Sequence, residues 1–89
     1  SKTYVAPYQF EMHAPKRGTV KKINNRKIAK LAKLSGAPQS KSAGISMNVR
    51  LGDELEKGEL VYILHAETNG ELNYALEYYE NHDDIIEIE

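Results

Sequence analysis

Few side chains in this 89-residue chain are of types that do chemistry, and their spacing does not gather them. The three histidines, His13, His65 and His82, lie far apart. None has the H-x-x-x-H or H-E-x-x-H spacing that sets two imidazoles on one helix face around a metal. His13 and His65 close predicted strands, where a ring that satisfies its nitrogens locally is the simpler reading. Asp83 and Asp84 form a carboxylate pair in a predicted loop. Paired carboxylates can divide acid and base roles, but in a loop before a strand they read as a solvated turn. There is no cysteine, hence no thiolate ligand, thiol nucleophile or disulfide. No serine stands in a G-x-S-x-G elbow. We assign no catalytic, cofactor-binding or metal-binding residue.

Two basic features remain. "GAPQSKS", Gly36 to Ser42, has the flavour of a phosphate loop but lacks the second glycine of G-x-x-x-x-G-K-[ST]. Pro38 supplies no amide donor, and the loop leaves a helix instead of entering one, so the dipole end is wrong for an anion. Lys41 could still meet a phosphate held by a partner domain; a helix-to-strand connector is the better reading. Lys21, Lys22, Arg26, Lys27, Lys30 and Lys33 suggest phosphate contacts to nucleic acid. No aromatic residue lies between Val20 and Gly44 to stack a base. The charge is also split along the chain. Residues 1–45 sum to +9 and residues 46–89 to −10, for a net charge of −1. A dedicated nucleic-acid domain is basic overall, so the expected arrangement is mutual neutralisation, within the domain or against a partner.

The elements that position these residues follow from periodicity. "YQFEMHA" (Tyr8–Ala14) alternates with Tyr8, Phe10 and Met12 on one face, and "GTVKKI" centres a second short strand on Val20. Asn24 caps a helix, Asn25 to Leu34, whose inner stripe is Ile28, Leu31, Ala32 and Ser35. Gly36 ends it, and Pro38 forbids continuation. "GISMNV" alternates Ile45, Met47 and Val49; turns follow at Gly52-Asp53 and Lys57-Gly58. Leu60–Leu64 is apolar on both faces and therefore a central strand. Thr68 and Glu71 form a capping box opening a second helix to about Asn81, with Leu72, Ala75, Leu76 and Tyr79 inward. "IIEIE" closes as a strand. The order is β-β-α-β-β-β-α-β, an α+β domain, because strands cluster between only two helices. The expected core is Phe10, Val20, Ile28, Leu31, Ile45, Met47, Val49, Leu60, Val61, Ile63, Leu72, Leu76 and Ile86.

Length and composition bound the class. Residues 1–89 make one small domain, near the size where a single core only just suffices. With 40% hydrophobic and 28% charged residues the chain is not of the disordered class. No apolar run approaches the ~20 residues of a membrane helix, and no signal-peptide core follows Ser1. The expectation is a cytoplasmic protein, away from membranes, with Ser1 the start of a fragment.

"PKRGTV" with "LGDELEKGEL" is similar to half of a lipoyl or biotinyl carrier domain, but "HAETNGEL" carries no lysine for the swinging arm. A broader match fits better. "APKRGTVKKINNRKIAKLAKLSGAPQSKSAGISMNVRLGDELEKGELVYILHAE", with "ELNYALEYY" as a closing helix, resembles the C-terminal domain of the thymidine (pyrimidine-nucleoside) phosphorylase family. The order and spacing of the pieces carry the resemblance, which covers about Met12 to Glu67. The short "SGAPQSKSAGI" is similar to an archaeal-type branch that includes AMP phosphorylases and chains called "putative thymidine phosphorylase".

The resemblance implies an α/β-hammerhead-like fold and a larger parent enzyme, of which this chain is the C-terminal domain. That parent splits a pyrimidine nucleoside or nucleoside monophosphate with phosphate as co-substrate, giving free base and pentose 1-phosphate. No other cofactor is implied. The partners implied are the upstream catalytic domains and further copies of the parent, not nucleic acid. None of the family's phosphate- or base-binding motifs falls in this chain, so its expected role is non-catalytic. The alternative is an independent electrostatic module that binds nucleic acid or an acidic protein.

Overall fold

The computed structural model describes residues 7–37 and 43–89. Its elements are β1 (Tyr8–His13), β2 (Gly18–Ile23), α1 (Asn25–Leu34), β3 (Gly44–Met47), β4 (Glu54–Leu55), β5 (Leu60–Ala66), α2 (Asn69–Glu80) and β6 (Ile86–Ile88). The order matches the one expected from periodicity, and the domain is α+β.

The strands form two antiparallel sheets, β1-β5-β3 and β4-β2-β6. The apolar strand β5 is central, as its two-faced hydrophobicity requires. Residues directly opposite across a ladder share a face. Register therefore puts Phe10, Leu64 and Ile45 together on one face, with Tyr62 between Met12 and Met47. Both helices cover that face: α1 lies against β3, and α2 against β1 and β5. Phe10 and Tyr79 meet there with ring centroids 5.1 Å apart. The second sheet buries Val20, Leu55, Ile86 and Ile88 into the same core.

Both helices begin as their caps dictate. The Asn24 side chain accepts from the Lys27 amide, and Thr68 Oγ1 accepts from the Glu71 amide while donating to Glu71 Oε1. Helix α1 ends at Gly36, whose φ of +116° is a left-handed conformation that side-chain-bearing residues avoid. Ser35, fully buried, donates its hydroxyl to the Leu31 carbonyl, so its burial leaves no unmet group. At Gly18 the reason for glycine is space: a Cβ would stand 2.9 Å from Ile88 Cγ2 and from the Glu89 carbonyl carbon.

The core differs from expectation in β5 and β3. Tyr62, Leu64 and Ala66 point inward and are buried, whereas Ile63 is half-exposed on the opposite face. An unbroken apolar run hides which parity faces the helices; pairing with Phe10 and Met12 decides it. Met47 shares the inner face but lies at the strand's end, 39% exposed. Phe10, Ile28, Ile45, Leu60 and Leu76 are half-buried, while Val20, Leu31, Val49, Val61, Leu72 and Ile86 are fully buried as expected. Ala14, Leu55, Ala75, Ile85 and Ile88 complete the core.

Candidate functional site

The three histidines are held apart, each in a local bond. His13 donates from Nδ1 to the Gly58 carbonyl and from Nε2 to Glu11 Oε1, both at 2.9 Å. With acceptors at both nitrogens the imidazolium is favoured, and the pKa is raised, first by the Gly58 bond and then by Glu11. His65 Nε2 shares a 2.8 Å hydrogen bond with Ser46 Oγ on the exposed face of the first sheet. His82 donates from Nδ1 to the Tyr78 carbonyl at 2.8 Å and stacks on the Tyr78 ring. Among the described residues no group of three His, Cys, Asp or Glu is placed to hold a metal.

The aspartate pair divides. Asp83 is exposed, but Asp84 takes a hydrogen bond from Lys27, which tethers α1 to the α2–β6 loop. That bond holds the Asp84 carboxyl below its usual value. Lys27, one of the basic residues that suggested phosphate contacts, is thus a structural tether. Lys22 pairs with Glu87 at 3.9 Å and Arg17 with Glu56 at 3.6 Å. Each of these three pairs joins the basic half of the chain to the acidic half, and the two exposed ones contribute little energy. Lys21, Arg26, Lys30 and Lys33 face outward, and Lys41 lies outside the described residues.

One region was not visible in the sequence. Where β1 and β5 meet the α2–β6 corner there is a cavity of about 310 Å³ whose wall includes Met12, Tyr62, Tyr79, Glu80, Asp83 and Ile86. A second cavity of about 310 Å³ shares Met12, Asp83 and Ile86 and adds Glu87 and Glu89. Tyr62 is 1% exposed, and its hydroxyl has no hydrogen-bond partner among the described residues. Burial, with Tyr79 adding to it, raises the phenol's pKa well above its usual value, so it stays neutral. A lone phenol inside "LVYIL" was the available signal, because a buried hydroxyl must find a partner or leave a cost of about 1–3 kcal/mol. Among the described residues this corner brings together no triad of nucleophile, base and orienting group.

Comparison with known proteins places the chain in a family. The profile of the pyrimidine nucleoside phosphorylase C-terminal domain matches residues 19–85. A Chelativorans sp. (strain BNC1) protein named "Putative thymidine phosphorylase" is 57% identical over 84 residues, which is 94% of this chain and 16% of that protein. Proteins of the same name from Maricaulis maris (strain MCS10) and Legionella pneumophila (strain Corby) are 46% and 51% identical, over 94% and 91% of this chain. The chain spans 16% of the length of each of these three relatives. From β2 to the turn before the last strand, this chain belongs to the pyrimidine nucleoside phosphorylase C-terminal domain family.

Proposed function

We propose that this chain is the non-catalytic, structural C-terminal domain of a thymidine phosphorylase-like pentosyltransferase. The parent performs phosphorolysis: phosphate attacks the anomeric carbon, the base leaves, and base and pentose 1-phosphate are released. The substrate is a pyrimidine nucleoside or nucleoside monophosphate, and phosphate is the co-substrate, with no further cofactor. The observation that carries this reading is the 57% identity to a protein bearing the thymidine phosphorylase name, over 94% of this chain. The local bonding of all three histidines supports a scaffold role, since each ring is used in holding the fold.

The domain's partners in this reading are the catalytic domains upstream of it and further copies of the parent, in the cytoplasm and away from membranes. No described helix is long and apolar enough to cross a membrane. The test is release of base from thymidine, uridine and AMP with excess phosphate. The 89-residue chain is expected to be inactive, and a relative's full-length protein active on at least one of the three. Turnover by the short chain that survives repurification would overturn the scaffold assignment. An inactive full-length relative would overturn the phosphorylase assignment.

A further inference from the structure

The α2–β6 corner combines features that a closed scaffold does not need. Its two adjoining cavities draw on Glu80, Asp83, Glu87 and Glu89, and neither includes a lysine or arginine. Among the described residues Glu87 pairs with Lys22 at 3.9 Å, and His82, held by the Tyr78 carbonyl, also lines the first cavity. Glu80 and Asp83 are exposed and form no ion pair with any described residue. Met12, Tyr79 and Ile86 give the same space an apolar and aromatic lining. Tyr62, whose hydroxyl is buried and has no partner among the described residues, also lines the first cavity.

We propose that this trough receives a polypeptide segment that inserts an arginine side chain flanked by apolar residues. The carboxylates of Glu80 and Asp83 supply the charge that a guanidinium fork recognises, and a guanidinium stacks on an aromatic face such as Tyr79. Apolar neighbours of the arginine cover Met12 and Ile86. The Tyr62 hydroxyl then gains the donor it lacks. That last contact requires the wall around Tyr62, of which Met12 is a part, to shift, because the hydroxyl has essentially no exposed surface in the free chain. Methionine, with its unbranched and flexible side chain, is suited to that movement. A lysine serves less well, being a compact charge without the planar fork. An acidic or phosphorylated partner is repelled by the carboxylates.

The probe is acetyl-leucyl-arginyl-leucine amide, titrated into the 89-residue chain and followed by NMR at the Met12 methyl and the Tyr62 and Tyr79 ring protons. A saturable shift at these positions is expected, weakening as salt is added. The citrulline analogue keeps the shape and loses the charge, and should bind about tenfold more weakly, or about 1.4 kcal/mol. Glu80→Gln combined with Asp83→Asn should cost a similar factor. Tyr62→Phe should weaken binding while leaving the unfolding midpoint of the free chain unchanged or higher, since it deletes an unmet hydroxyl. A merely structural Tyr62 would lower the midpoint and leave affinity alone. Absence of saturable shifts, or equal response to the citrulline peptide, overturns the proposal. Concentration-dependent shifts at Met12 without peptide also overturn it, in favour of a contact between two copies.

Discussion

Helix α1 and the corner where α2 passes into β6 are finished in opposite ways. At α1 the polar groups at both ends are met: Asn24 caps the start, Ser35 bonds back to Leu31, and Lys27 reaches Asp84. Leu31 is fully buried beneath it. At the corner, among the described residues, a buried tyrosine hydroxyl has no partner, Glu80 and Asp83 form no ion pair, and two clefts open at the surface. Interiors are close-packed and buried polar groups are bonded as a rule. The corner departs from the second rule at Tyr62, whereas the polar side chains named at α1 are bonded, and its Lys30 and Leu34 border a separate cavity of about 290 Å³.

The largest test of that contrast is Leu31→Ala, which should destabilise the domain by about 2–5 kcal/mol in urea denaturation. Ile63→Ala, at a half-exposed position of β5, should cost clearly less; equal losses would mean that Ile63 is packed as tightly as Leu31. Gly18→Ala should cost about 1–3 kcal/mol, because the new methyl must displace Ile88 or the backbone at Glu89. An unchanged midpoint would show that this edge is as adaptable as the corner. Asn24→Ala should cost about 1 kcal/mol through the lost cap. An effect too small to measure would mean that α1 is held by packing alone.

The smallest expected effect is that of pH. The raised pKa of His13 makes its contribution complete below its ordinary value of 6.5, and that contribution fades as pH rises through the folded-state value. The depressed pKa of Asp84 works in the other sense. Its contribution is present above 3.8 and is lost as pH falls through its lower folded-state value. The urea midpoint should therefore fall gently on the alkaline side and steepen downward in acid. His13→Asn should flatten the alkaline side only. If Lys27→Met leaves the acid limb unchanged, the tether between α1 and the corner is not the cause.

Much of the fold was legible because its signals are local. Asn24, Gly36 and the Thr68–Glu71 pair are each read within four residues, and the structure places them at the helix ends they imply. The central position of β5 followed from its two-faced hydrophobicity. Its inward parity did not, since "LVYIL" presents an apolar residue on either face, and only register with Phe10 and Ile45 makes Leu64 the inner one. Met47 failed as a core residue for a related reason: alternation assigns a face but not how far a covering helix extends along it.

Sequence by itself determined the order of elements, the helix caps and stops, and the absence of any local catalytic motif, because these rest on contacts between near neighbours in the chain. Only the tertiary structure decided that Lys27 meets Asp84, 57 positions later, and that Tyr62 is buried with its hydroxyl unmet. It also decided that Glu80, Asp83, Glu87 and Glu89 line two cavities that share Met12 and Asp83. Each of these depends on how two sheets and two helices close on one another, and a one-dimensional pattern carries no distance between segments that far apart.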